Sequence, residues 1–270
     1  MTEHAGRGDP RRSLELLWGV AEPPARGPKQ GLSVDGIAAA AIALADAEGL
    51  DAVSMRRVAD RLGKSAMALY TYVPSKAELL DLMLDRVQAE SATTYPLDAG
   101  WRPAVEAWAR DGWAFYERHP WVLQVSGARA TLGPNDFAQY EALCRLFDGI
   151  GLSGVEIARS VGVLSSFVRG AAKAVSDARA AEQETGVSDD DWWNARAPLL
   201  EQIQADLWDE RYPTLKRMSE EHAFDQLDRP DDTTPYLVQD ALDVFEFGLQ
   251  RILDGIEAYI ASRQPAKGSG

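Results

Sequence analysis

The chain has 270 residues, 46% of them hydrophobic, with 28 Lys and Arg against 42 Asp and Glu and a net charge of −14. That apolar content can offset the ordering entropy of folding, which excludes a disordered chain. The single cysteine, Cys144, excludes an internal disulfide and a thiolate metal cluster. Taken whole, so acidic a chain argues against a partner made of phosphates. The charge is unevenly placed, however: residues 1–76 sum to +1, the remainder to −15, and 177–234 alone to −10. The N-terminal quarter is therefore free to approach phosphate while the rest is repelled by it. No basic stretch leads into an apolar one at the start, and the longest uncharged apolar run, Gly36 to Ala45, is half a membrane span. A soluble cytoplasmic protein with no membrane partner is expected.

In chain order, residues 1–31 are rich in Pro and Gly and read as a flexible arm. A short apolar island lies at Leu14, Leu16, Leu17 and Trp18, and a basic stretch, Arg26 to Lys29, is suited to a minor groove. From Ser33 the pattern turns helical, with Ile37, Ala40, Ala41, Leu44 and Ala45 on one face and Gly49 as the stop. A short helix is predicted from Ser54 to Leu62, broken by Gly63, and another from about Ser65 to Tyr72, ended by Pro74. Ser75 and Glu78 form a capping box for the next helix, whose apolar face is Leu79, Leu80, Met83, Leu84 and Val87. Further helices are predicted over Trp101 to Arg118, Asp136 to Phe147, Val155 to Arg179, Trp192 to Leu207 and Pro235 to Ser262. No alternating β-branched run occurs, so the fold is predicted to be all-α.

The segment Met55 to Pro74 carries the chemistry. Ala59, Gly63 and Leu69 fit a helix-turn-helix, in which a small residue permits a close crossing, Gly makes the turn and Leu fills the shared core. The second helix of such a unit enters the major groove. It offers Ala66 and Ala68 for close approach, Met67 and Thr71 for thymine methyls, and the hydroxyls of Tyr70 and Tyr72 for phosphate. Arg56 and Arg57 on the first helix can reach phosphate or a guanine edge, and Lys76 adds a cation at the next helix start. With no Arg, Lys, Asn or Gln on the second helix, specificity leans on Arg56, apolar contacts and DNA shape.

These residues resemble the DNA-binding domain of the tetracycline-repressor (TetR) family. The likeness rests on the run Leu50 to Ala59, on Leu62-Gly63, on Ala68-Leu69-Tyr70-Thr71-Tyr72-Val73 and on Lys76-Ala77-Glu78-Leu79-Leu80. It implies a bacterial, cytoplasmic repressor, associated with the nucleoid when bound to its operator. The family pattern is a helix-turn-helix domain, here 32–78, followed by a larger helical ligand-binding and dimerisation domain, here 79–264. It also implies a homodimer on a palindromic double-stranded operator, released by a small-molecule inducer, with no cofactor and no catalytic residue. The operator-facing set is then Lys29, Ser54, Arg56, Ala66, Met67, Ala68, Tyr70, Thr71, Tyr72 and Lys76. Tyr72 stands where many members carry His, and Ala66 where some carry a polar reader, which leaves the operator sequence open.

Seven of eight Trp fall between 101 and 208. With the resemblance, this clustering suggests a cavity for a large, flat aromatic ligand, lined by Trp108, Trp113, Tyr116, Phe137, Tyr140 and Phe167. The acidic chain favours a cationic or neutral ligand over an anionic one. Small residues Gly162, Ser166 and Gly170, with the stripe Phe245, Leu249, Ile252 and Ile256, are the expected dimer surface. Gly149 to Gly154 spells GxGxxG, but no strand precedes it, so a turn between helices is expected. Asp189-Asp190-Asp191 is read as helix capping and not as a metal site. The alternatives are an activator with the same DNA chemistry, and an all-α enzyme or interaction protein whose helix-turn-helix is only structural.

Overall fold

Serine hydroxyls start four helices of the N-terminal third. In the computed structural model, which describes residues 3–20, 32–204, 211–223 and 234–263, Ser33, Ser54, Ser65 and Ser75 accept hydrogen bonds from the amides of Gly36, Arg57, Ala68 and Ala77. The helices they open are α2 (Val34–Glu48), α3 (Met55–Arg61), α4 (Ala66–Tyr70) and α5 (Lys76–Gln88). Gly63, at φ +64°, makes the turn between α3 and α4 in a conformation that a residue with a Cβ adopts only under strain. Val58, Ala59 and Leu69 are fully buried at the crossing. The same apolar core takes in α2 and α5 and continues to Phe115, Trp121 and Val122.

Downstream, α6 (Trp101–Arg118) ends at His119, and a 3-10 turn over Pro120–Gln124 follows, as the His-Pro pair predicts. Beyond it lie α7 (Pro134–Leu146), α8 (Gly154–Thr185), α9 (Asp189–Gln204), α10 (Pro213–Glu220) and α11 (Tyr236–Arg263). The GxGxxG sequence is the turn between α7 and α8, with Gly149 and Gly151 at positive φ. Ser188 accepts from the Asp191 amide and caps α9. The all-α class holds, with one addition. A two-residue strand β1 (Glu3–His4) pairs in parallel with β2 (Val125–Ser126), placing Glu3 opposite Val125 and His4 opposite Ser126.

The first part of the expected flexible arm is instead structured. Asp9 caps α1 (Pro10–Leu17), whose Ser13 and Leu17 are buried against α5. Eight residues give too few turns for periodicity to show, and an isolated helix of that length is unstable in water. Docking on α5 holds it. The basic stretch Arg26 to Lys29 lies outside the described residues.

The chain divides into two compact units, one running to Arg169 and including the chain from Leu253 onward, the other Gly170–Ile252. The first holds the helix-turn-helix and a large cavity. Within it, Arg102 of α6 binds Asp254 (2.6 Å) and Glu257 (2.9 Å) of α11, and Glu156 of α8 accepts from Tyr259 (2.5 Å). In the second unit, Val238, Ala241, Phe245 and Leu249 of α11 are buried.

Candidate DNA-binding face and ligand cavity

Helix α4 presents its outer side to solvent. Met67 is 74% exposed, and Tyr70 and Thr71 are also exposed, with the Thr71 hydroxyl donating to its own helix at Met67 O (3.3 Å). Ala66 and Ala68 are half-buried, which allows another backbone to come close. Tyr72 is half-buried against the helix-turn-helix core, so its ring is partly used in packing. Ser54 is engaged as the cap of α3.

The two arginines of α3 differ in kind. Arg56 is exposed, with only a long contact to Asp60 (4.0 Å), and is free to turn toward a phosphate. Arg57 is held by Glu48 through two hydrogen bonds (2.7 and 2.9 Å) and reaches Ala52 O. Arg57 is thus already paired with a bidentate carboxylate, whereas Arg56 is not. Lys64, exposed in the turn just before α4, was not singled out from sequence. Its only signal is a cation placed directly after Gly63.

Lys76 opens α5 and lies 3.6 Å from Glu3. The predicted capping box is also altered. Ser75 bonds to the Glu78 carboxylate, whose other oxygen accepts from the Asp9 amide (3.2 Å). Glu78 is buried there because α1 covers it.

A cavity of about 620 Å³ lies in the first unit, with walls from α5, α6, α7 and the first half of α8. Trp108, Tyr116 and Tyr140 line it, together with Phe115 and Tyr95. Three other aromatics expected there are placed elsewhere. Trp113 is buried in the core, Phe137 is exposed with its ring 6.1 Å from that of Trp18, and Phe167 is half-buried away from the wall. On a helix, side chains one or two positions apart face different ways, so clustering in sequence does not select one wall.

Four charged residues line the cavity, Asp111 and Asp136 against Arg129 and Arg169. The acidity of the whole chain does not carry into it, which removes the basis for favouring a cationic ligand. Arg169 is committed to structure, donating to the carbonyls of Val125 (2.5 Å) and Val122 (3.3 Å) and lying over the Tyr116 ring. Asp136 accepts from the Thr131 hydroxyl (3.2 Å) and the Leu132 amide (3.0 Å), which fixes the loop before α7. Tyr95 donates to Asp111, and burial pushes its hydroxyl well above the usual phenol range. Such a cavity can enclose a rigid ring system and offer a few polar groups at its rim.

Of the expected dimer residues, Gly162, Ser166 and Gly170 are exposed on α8, and Ile252 and Ile256 are half-buried. Phe245 and Leu249 are buried within the protomer itself and offer no surface to a second copy. Leu237, Val244, Phe247 and Tyr259 are the large apolar side chains that α11 exposes instead. Among the described residues no helix is long and apolar enough to cross a membrane, and no cluster of His, Cys, Asp or Glu could hold a metal.

Comparison with known proteins agrees with this geometry. Residues 37–83 match the family model for bacterial regulatory proteins of the tetR family, and 95–260 match the tetracyclin repressor-like C-terminal domain. The HTH-type transcriptional repressor DrrR1 of Streptomyces coeruleorubidus is 45% identical over 97% of this chain and 91% of its own. A second regulator, from Saccharopolyspora erythraea, is 32% identical over 54% of this chain and 61% of its own. Among solved structures, Streptomyces coelicolor ActR in complex with actinorhodin superposes with a TM-score of 0.63 at 28% identity, covering 85% of this chain and 98% of that one. The same protein in complex with (S)-DNPA gives 0.63 at 27% identity.

Proposed function

Because this chain belongs to the TetR family of bacterial regulators, we propose that it is a homodimeric repressor released from a palindromic operator by a small-molecule inducer of the large, flat aromatic kind. The observation that carries this reading is α5 itself. One helix of 13 residues begins at Lys76, beside the recognition helix, and contributes Leu84 and Gln88 to the cavity wall. A ligand that displaces Leu84 or Gln88 acts on the same rigid element that sets Lys76. A helix of that length spans about 20 Å, so a tilt at one end becomes a displacement at the other.

In the dimer, two copies of α4 would occupy successive major grooves about 34–36 Å apart. Arg56, Met67, Tyr70, Thr71 and Lys76 are the side chains that would meet DNA, with Ala66, Ala68, Ser54 and Tyr72 in support. Val163 and the small Gly162 and Ser166 of α8, with the exposed residues of α11, would meet the second copy. Their apolar exposure in one protomer supports that placement. A fused-ring ligand would lie against Trp108, Tyr116 and Tyr140. Actinorhodin in the complex with ActR is a reason to begin with that chemistry.

The test is a gel-shift titration on a duplex selected from a random pool by the protein itself, with and without actinorhodin. Weaker operator binding with actinorhodin, lost in Trp108→Ala, is the expected result. A protein that selects no duplex would leave the helix-turn-helix a purely structural unit.

A further inference from the structure

Residues 3–20 touch both halves of the proposed response, and nothing in an autonomous helix-turn-helix requires them. At one end β1 pairs with β2, whose Val125 and Ser126 line the cavity, and Ala5 is buried in the same wall. In the middle the segment lies along α5 and completes two buried carboxylates. The Gly6 amide donates to Asp81 (2.8 Å), as does the Ser13 hydroxyl (3.1 Å), while the Asp9 amide donates to Glu78 (3.2 Å). Burial, with a smaller push from the Glu78 charge, moves the Asp81 carboxyl up, and the two donors from the segment oppose that shift. Gly8 fits so closely that a Cβ there would stand 2.7 Å from the Glu78 carboxyl. At the far end the Trp18 indole donates to Leu132 O (3.0 Å), anchoring the segment to the loop before α7. Glu3, meanwhile, sits 3.6 Å from Lys76.

We infer that residues 3–20 form a strap coupling the cavity to the DNA-binding head: the strap closes the cavity at Ala5, grips α5 through Glu78 and Asp81, and competes with DNA for Lys76 through Glu3. The inference rests on the proposed ligand-responsive reading. It adds that occupancy reaches α5 partly through the strap and not only through Leu84 and Gln88. The strap is held by four hydrogen bonds to or from side chains, by the β1–β2 pairing and by an eight-residue helix whose Leu17 belongs to the core. Its grip on Glu78 and Asp81 is polar, so that grip can loosen while Leu17 stays in the core, which makes it a locally opening element able to transmit coupling.

Two full-length variants test this. Gly8→Leu inserts a wedge against Glu78, and Ser13→Ala removes one donor from Asp81 without adding bulk. Amide exchange on the free proteins should show α5 exchanging about tenfold faster in Gly8→Leu and less so in Ser13→Ala, with α2 unchanged. In operator titrations the uninduced affinity should stay within about threefold of wild type. The actinorhodin-dependent loss of affinity should shrink to less than about twofold in Gly8→Leu and fall between in Ser13→Ala. Wild-type exchange in α5 of both variants, or a full ligand response with the strap wedged off, overturns the inference. If wild type itself ignores actinorhodin, the ligand-responsive reading fails for that ligand class, and the exchange comparison alone decides whether the strap holds α5.

Discussion

His119 is buried with a carboxylate on each ring nitrogen, Asp46 at 2.7 Å on Nδ1 and Glu90 at 3.0 Å on Nε2. Asp46 also takes the Trp121 indole N–H (2.7 Å), which ties α2 to the end of α6. Removing the ring takes one partner from each carboxylate at that joint, leaving Asp46 the Trp121 indole and Glu90 the nearby Arg118. His119→Ala should cost about 2 kcal/mol in urea unfolding, less than a fully buried pair would because both carboxylates keep some solvent. Sequence marked His119 as a helix stop but could not show its partners, which lie 73 and 29 residues away. The cations of the head separate on the same principle. Lys76→Ala should weaken DNA binding across sequences and reduce the salt slope by about one. Arg57→Ala should leave that slope unchanged and cost under about 1 kcal/mol of stability, because it loses an exposed ion pair with Glu48 and one long bond to Ala52 O.

At the scale of elements, buried or bridging carboxylates hold helix ends. Asp85 of α5 accepts from the Asn135 and Asp136 amides (each 3.0 Å) and so caps α7 from outside it. Gly133 lies against that carboxylate with no room for a Cβ. Gly133→Ala should therefore destabilise the protein by about 2 kcal/mol or more, measurable as a lower thermal midpoint. Glu156 accepts from the Ser153 amide (2.7 Å) at the start of α8 and from Tyr259, and it also binds Arg263. Those bonds, the one from Tyr259 first, hold its carboxyl down at about 2. A depressed carboxylate stabilises the fold above its unfolded value and loses that contribution as pH falls through its folded one. Stability should thus drop between about pH 4.5 and 2, and the drop should be shallower in Glu156→Gln when thermal midpoints are followed against pH. Helices with clear periodicity and stop signals, such as α2 and α6, were legible in sequence to within a few residues. α1 and α10 were not, since each has eight residues and Pro at its start, and α1 owes its order to Asp81 and Glu78 across the fold.

For the whole molecule, uneven charge explains how an acidic protein can carry a DNA reader. The acidic excess lies after residue 76, and repulsion from phosphate should keep those parts off the duplex and make non-specific binding weak and salt-sensitive. In the proposed homodimer, exposed apolar residues on α8 and α11 would meet the second copy. Val163→Glu, on a side chain 54% exposed in the protomer, should shift sedimentation to the monomer and abolish tight operator binding while leaving the fold's circular dichroism intact. An unchanged dimer would move the interface to another face.

Sequence by itself determined the helical class, the helix-turn-helix with its capping serines and Gly63 turn, and the family, because each depends on neighbours within about ten residues. Tertiary structure decided which aromatics face the cavity, that Arg57 is already paired, that Phe245 and Leu249 are buried in the protomer, and that the supposed arm begins as a strap on α5. All of these depend on partners distant along the chain. The rotation of a helix about its axis, and the carboxylate that meets a given amide, are set only when helices pack. A spacing pattern records the apolar side of a helix, but it does not record what that side touches.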